Sequence, residues 1–135
     1  MKSKYPIGKT YFHKEIIAID LPEIARRMTE VEFLEFYKQF TLAIVNAKIE
    51  PDKKGTRLRY DLADTSRLDF HSKKKPERRE KRDYRFVYRY DSDRSFFFGD
   101  AVGLRYAKGV GGDSIYWTTK RRDRSDKNYT EDPIG

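Results

Sequence analysis

Thr29-Glu30-Val31-Glu32-Phe33-Leu34-Glu35-Phe36-Tyr37-Lys38-Gln39-Phe40 decides how the rest of the chain is read. Thr29 followed three residues later by Glu32 is a capping box, in which each side chain satisfies a backbone N–H at the helix start. Phe33, Phe36, Tyr37, Phe40, Ile44 and Ala47 then recur at spacings of three and four, which places them on one face of a helix. Glu32, Glu35, Lys38, Gln39 and Asn46 fall mostly opposite, and Val45 widens the apolar stripe. The spacing predicts a long, well-buried helix that ends before Pro51, with Pro51-Asp52-Lys53-Lys54-Gly55 as a turn.

Upstream, Lys9 to Ile19 is rich in β-branched and aromatic residues and reads as a strand or extended arm. Asp20-Leu21-Pro22-Glu23 reads as a second, shorter helix start, with Asp20 as its cap and the helix running to Met28.

Downstream the period changes from helical to two. Arg57 to Leu62 alternates polar and apolar, as a half-buried strand does, and a short strand around Leu68–Phe70 is compatible with the pattern. Tyr84, Phe86, Tyr88 and Tyr90 alternate with Arg85, Val87 and Arg89. This pattern sends the aromatic set toward the helix and the two arginines to the other face of a sheet. Asp91-Ser92-Asp93-Arg94 is a hairpin turn, and Ser95–Phe98 is the next strand. Gly99-Asp100 reads as a break, after which Ala101–Ala107 resumes in extended form. Gly109 to Asp113 is a glycine-rich turn, and Ser114 to Thr119 has strong strand character.

The expected architecture is α+β. One main amphipathic helix, preceded by a short one, packs on an antiparallel sheet of four to six strands. Residues 1–120 are expected to form one domain, and residues 121–135, which are polar and without periodicity, a flexible basic tail.

Composition narrows the function. The chain has 135 residues and a formal net charge of +8. Residues 1–50 hold 8 Lys and Arg against 7 Asp and Glu, whereas residues 51–135 hold 22 against 15. The positive charge therefore belongs to the second part of the chain, and a positive potential attracts polyanions. With no cysteine, disulfides, thiolate zinc sites and a cysteine nucleophile are excluded. The N-terminal lysines precede no apolar run, so a signal peptide is not expected. Runs such as Phe96–Phe98 are too short to span a bilayer. A soluble cytoplasmic protein without membrane contact is expected.

The sharpest local feature is Lys73-Lys74-Lys75-Pro76-Glu77-Arg78-Arg79-Glu80-Lys81-Arg82, too charged to pack and read as an exposed loop. Its cations Lys73, Lys74, Lys75, Arg78, Arg79, Lys81 and Arg82 are candidate phosphate contacts. Arg85 and Arg89 on the neighbouring strand, and Lys120, Arg121, Arg122 and Arg124 toward the C-terminus, complete the candidate nucleic-acid-binding set. Partial neutralisation by Glu77, Glu80 and Asp83 is the competing reading of the loop, as a solvated hairpin connection.

Other chemistry finds little support. The strand Tyr84–Tyr90 departs from the first ribonucleoprotein motif of RNA-recognition domains. Asp83 and Arg85 stand where that motif needs small residues, and Arg89 where it needs an aromatic one. Gly109–Asp113 leads into a strand-like segment and lacks the Lys-Ser/Thr ending of a phosphate loop. His13 and His71 are isolated, and Asp61, Asp64 and Asp69 follow no metal-ligand spacing. No cofactor, metal site or catalytic residue is assigned.

The Asp83-Tyr84-Arg85-Phe86-Val87-Tyr88-Arg89-Tyr90-Asp91 segment, behind two helices and with arginine on the sheet face, resembles the small bacterial mRNA-cleaving toxins. That resemblance implies a metal-independent ribonuclease in which Arg and Lys position RNA and Tyr or Arg serves as an acid or base group. The leading expectation is a non-enzymatic protein that engages RNA, DNA or a nucleoprotein partner through its basic part. The first alternative is a protein-protein interaction or inhibitor module of mobile-element type, anchored by exposed Tyr, Trp117 and Arg. The ribonuclease is the second alternative.

Overall fold

The computed structural model describes residues 5–52, 58, 64–105 and 115–132. The elements run β1 (Lys9–His13), a π-helical turn (Ile16–Asp20), α1 (Leu21–Arg26), α2 (Glu30–Ile49), β2 (Ser66–Phe70), β3 (Tyr84–Asp91), β4 (Phe96–Leu104), α3 (Ile115–Arg121), a 3₁₀ turn (Asp126–Asn128) and β5 (Tyr129–Glu131). The five strands form one sheet in the order β2-β3-β4-β1-β5. Helices pack on this sheet, so the architecture is α+β.

The capping box forms as its residues dictate. Glu32 N donates to Thr29 Oγ1 at 3.1 Å, and Thr29 N donates to Glu32 Oε1 at 2.9 Å. From there α2 lays Phe36, Phe40, Ala43, Ile44 and Ala47 on the sheet. Their aromatic partners come from β2 and β3: the Phe36 ring lies 4.9 Å from Tyr84, and Phe40 lies 5.4 Å edge-on to Phe86. Tyr84, Phe86 and Tyr88 are buried on this face, as alternation predicts, and Tyr90 reaches outward to donate to Pro6 O at 2.8 Å. Val45 does not widen the buried stripe; it is exposed on the far side of α2.

Several local expectations change. The strand expected over 9–19 stops at His13, because Ile16 and Asp20 are both buried and lie on one side of a helical turn. Asp20 makes no capping bond; its carboxylate accepts from Val102 N at 3.0 Å and from Arg122 Nη1 at 2.8 Å. Gly99-Asp100 does not break the strand. The register passes from Val87↔Ala101 to Tyr88↔Gly99, so Asp100 is the extra residue of a β-bulge and β4 runs through it. A Cβ at Gly99 would lie 2.4 Å from Phe12 Cδ1, so only glycine admits the Phe12 ring at that point. β1 lies parallel to β4, while the other pairs are antiparallel.

The second face of the sheet is covered in part. Residues 115–121 form a helix, not the expected strand, and Ile115 packs on Val87 and Ala101. The expectation of a flexible tail over 121–135 is modified for 121–132. Arg122 is buried, Asn128 donates to Asp123 O at 3.0 Å, and β5 pairs with β1. The strand expected at 57–62 and the glycine turn at 109–113 lie outside the described residues, Leu58 excepted. No helix among the described residues is long and apolar enough to cross a membrane.

Candidate nucleic-acid interface

The loop between β2 and β3 is closed at its base by a short polar clamp. Ser72 N donates to Asp83 Oδ1 at 2.8 Å, and Ser72 Oγ donates to Asp83 Oδ2 at 2.6 Å. Above the clamp, Lys73 Nζ pairs with Glu80 Oε1 at 3.0 Å, and the pairing raises the lysine and lowers the carboxyl from their ordinary values. Arg79 takes a left-handed backbone (φ 71°), which turns the loop. Lys74, Lys75, Arg78, Arg79, Lys81 and Arg82 are exposed and make no ion pair among the described residues. The loop thus presents six exposed cations above a hydrogen-bonded base.

Directly beside it, on the second face of the sheet, three arginines from three successive strands converge on one carboxylate. Arg85 Nε on β3 donates to Asp69 Oδ1 at 2.7 Å. Arg67 Nη1 on β2 reaches Asp69 Oδ2 at 3.3 Å, and Arg105 Nε, just past β4, lies 3.1 Å from the same oxygen. The strand register explains the meeting. Asp69 stands opposite Arg85, Arg67 lies two residues along on the same face, and Arg105 N binds Asp83 O across the β3–β4 end. Among the described residues, one carboxylate faces three guanidiniums here. The Asp69 side chain is 11% exposed and those of Arg67, Arg85 and Arg105 19–35%, so the arginine side chains are the more accessible part. Planar guanidinium forks suit phosphate oxygens.

A second acidic centre on the same face is closed. Asp100, completely buried in the bulge, accepts from the Tyr129 hydroxyl. Arg89 Nε and Arg124 Nη1 lie 3.8 and 3.6 Å from Asp100 Oδ2. The Arg89 guanidinium stacks 4.2 Å from the Phe98 ring centroid and donates to Arg124 O at 3.4 Å. Burial raises the Asp100 carboxyl above its ordinary range, and burial together with the Asp100 charge holds the Tyr129 hydroxyl high. Arg122 is likewise committed: its Nε lies 3.0 Å from Glu15 Oε2 and its Nη1 donates to Asp20 Oδ2 and to Asp100 O at 2.9 Å.

The sequence candidates therefore separate into three groups. The loop cations and Arg85 share one region. Arg89, Arg122 and Arg124 hold the C-terminal segment on the sheet, and the buried Arg122 cannot also meet a nucleic acid. Lys120 and Arg121 are exposed at the end of α3, with Lys120 Nζ 4.9 Å over the Trp117 ring. Sequence reasoning did not single out Arg67 and Arg105, which the fold brings to Asp69 beside Arg85. Arg67 belongs to an unpatterned segment, and Arg105 meets the others only through the pairing of β3 with β4.

The histidines take no part in this cluster through any hydrogen bond described. His13 is buried; its Nδ1 accepts from Glu15 N at 3.1 Å, which leaves Nε2 to donate to Asp123 O at 2.8 Å. A pocket of about 510 Å³ beside it is lined by Lys14, Glu15, Asp123, Lys127 and Asn128, with charges of both signs. Among the described residues no three His, Asp or Glu side chains are grouped to hold a metal ion.

No protein-family model matches the chain, and no curated protein matches it in sequence. Among solved structures, it is similar to a mutant of the E. coli toxin RelE in the free state, with a TM-score of 0.47 and 16% sequence identity. The similarity covers 80% of this chain and 94% of that one.

Proposed function

We propose that this chain binds the phosphate backbone of a single-stranded nucleic acid along the end of the sheet formed by β2, β3 and β4. The observation that carries this reading is the convergence of Arg67, Arg85 and Arg105 on Asp69 beside a loop with six exposed cations. Three guanidiniums gathered at one place offer planar N–H forks, whose charge and geometry both suit a phosphate. The loop then adds mobile contacts, each releasing counterions from the polyanion. α3 begins next to the cluster, with Ile115 Cδ1 facing Gly103, the register partner of Arg85. That helix carries exposed Trp117 and Lys120, a pair suited to stacking on an unpaired base and holding its phosphate.

Titration of labelled single- and double-stranded RNA and DNA at several salt concentrations tests the proposal. The expected result is single-strand binding that falls steeply with salt and is weakened by Arg85→Gln. No binding at about 50 mM salt, where phosphate contacts are strong, would refute it.

A second reading rests on the same cluster. A carboxylate ringed by guanidiniums combines a proton acceptor with charges able to stabilise a phosphorane, which is the equipment of RNA cleavage by its own 2′-hydroxyl. This ribonuclease reading agrees with the family that the Asp83–Asp91 segment resembles. It predicts that RNA shortens in the presence of a chelator, that DNA stays intact, and that Asp69→Asn abolishes cleavage without abolishing binding.

A further inference from the structure

α2 is apolar on two opposite faces. One is the core face already described. Along the other, Val31, Leu34, Leu42, Val45 and Ile49 form a stripe in which every residue is 55–77% exposed, with Lys38 between them. Spacings of three and four average the period of a straight α-helix, so the stripe runs parallel to the axis instead of winding around it. Surface apolar residues scattered singly need no explanation; five in line over the length of a helix do.

The order of the stripe identifies its occupant. It reads nearly the same in both directions from a midpoint at Phe40. Val31 and Ile49 are nine residues to either side, Lys38 and Leu42 two to either side, and Leu34 and Val45 six and five. A two-fold axis through that midpoint brings each residue opposite the other member of its pair, which is the condition for an isologous contact. Glu30 and Lys48 flank the stripe on the same side, so the same axis sets each glutamate opposite a lysine.

We infer that the outer face of α2 is an interface between two copies of this chain, packed antiparallel. Val31 then meets Ile49 of the partner subunit, and Leu34 meets Val45 of the partner subunit. A helix of this length presents about 30 Å of contact. A seam about 30 Å long and about 10 Å wide covers roughly 300 Å², below the roughly 800 Å² per partner of a standard stable interface, so the dimer is a weak one, populated as concentration rises. Lys38 at the centre faces Leu42 of the partner subunit and weakens the pair.

Sedimentation of the full chain from about 1 to 500 μM, a span chosen to bracket such an interface, tests this directly. The mass is expected to double across the range. Leu34→Glu with Val45→Glu should raise the dissociation constant at least ~100-fold, and Lys38→Leu should lower it. Because the chain has no cysteine, register can be read by cross-linking. In Val31→Cys with Ile49→Cys the two thiols of one chain are about 27 Å apart along the helix, so oxidation yields a covalent dimer and no internal bridge. Each single variant should remain uncoupled. A wild-type chain that stays monomeric throughout, as it would if the stripe served a different protein, overturns the inference. So does efficient coupling of Val31→Cys alone, which would mean a parallel pair, or unchanged dimerisation in Leu34→Glu with Val45→Glu.

Discussion

The Arg122 guanidinium grips the Asp20 carboxylate across 102 residues of sequence, and both side chains are buried. This pair joins the residue that follows α3 to the turn before α1. Arg122 Nη1 also donates to Asp100 O at 2.9 Å, while Asp20 accepts from Val102 N at 3.0 Å, so the link runs through the β4 bulge. Burial lifts the Asp20 carboxyl above its ordinary value more than the arginine lowers it. Removing one partner of such a pair strands the other charge in the interior. Arg122→Met is therefore expected to cost about 3–5 kcal/mol at neutral pH. Asp20→Asn with Arg122→Met should recover much of that, because asparagine still accepts from Val102 N. Urea unfolding of the two singles and the double, as a cycle, checks this; additive costs would show that the pair does not act as a unit.

Asp100 gives the pH dependence. Its carboxyl is raised in the folded state by burial, ahead of the lowering by Arg89, Tyr129 and Arg124. The folded protein therefore holds this proton more tightly than the unfolded chain. The stability this group contributes is present at low pH and is lost as pH rises through its folded value. Asp100→Asn is permanently neutral and escapes that loss. The stability of the variant relative to wild type should improve as pH rises from the ordinary carboxylate range toward neutrality. Denaturation midpoints across that range measure it, and a difference that stays constant with pH would contradict the assignment.

Gly99 tests the fit of the core. A methyl group there would sit 2.4 and 2.8 Å from two Phe12 ring atoms and 3.2 Å from Phe86. Both rings are buried, so neither can swing aside. Gly99→Ala should cost about 1–3 kcal/mol or more, as overpacking of a tight interior does. At Gly103 the nearest contact is Ile115 Cδ1 at 3.3 Å, a flexible side-chain end. Gly103→Ala should stay within about 1 kcal/mol. Equal melting temperatures for the two variants would mean that Phe12 does not sit where it is placed.

These residues also mark how far the sequence could be read. α2 and its cap, the alternation of β3 and the exposed loop all follow from local spacing, and they appear at those places. α3 does not follow, because Ile115-Tyr116-Trp117-Thr118-Thr119 has strand propensity. Tertiary context reverses that preference: Ile115 and Thr119 are both buried four residues apart, and Thr119 Oγ1 donates to Ile115 O at 2.8 Å. The Arg122–Asp20 pair and the parallel pairing of β1 with β4 leave no local trace at all. In the candidate interface, Arg85 was visible because it interrupts an aromatic alternation. Asp69, Arg67 and Arg105 become partners only when three strand ends align.

Asp69 supplies the test that bears most directly on function. It neutralises one of three arginine charges on a patch proposed to receive phosphates. If the cluster is the binding surface, Asp69→Asn exposes one more net positive charge, so affinity for single-stranded RNA rises by ~3–10-fold at low salt and the salt dependence steepens by about one ion. Arg67→Gln, Arg85→Gln and Arg105→Gln each shift both quantities the other way, reducing the slope by about one where the residue meets a phosphate. Arg89→Gln, at the closed Asp100 centre, should change stability and leave the slope unaltered. Anisotropy titrations at four or five salt concentrations separate these outcomes, with circular dichroism confirming that each variant is folded. Equal slopes in all four cluster variants would place the nucleic acid elsewhere and leave the arginines as props for the sheet edge.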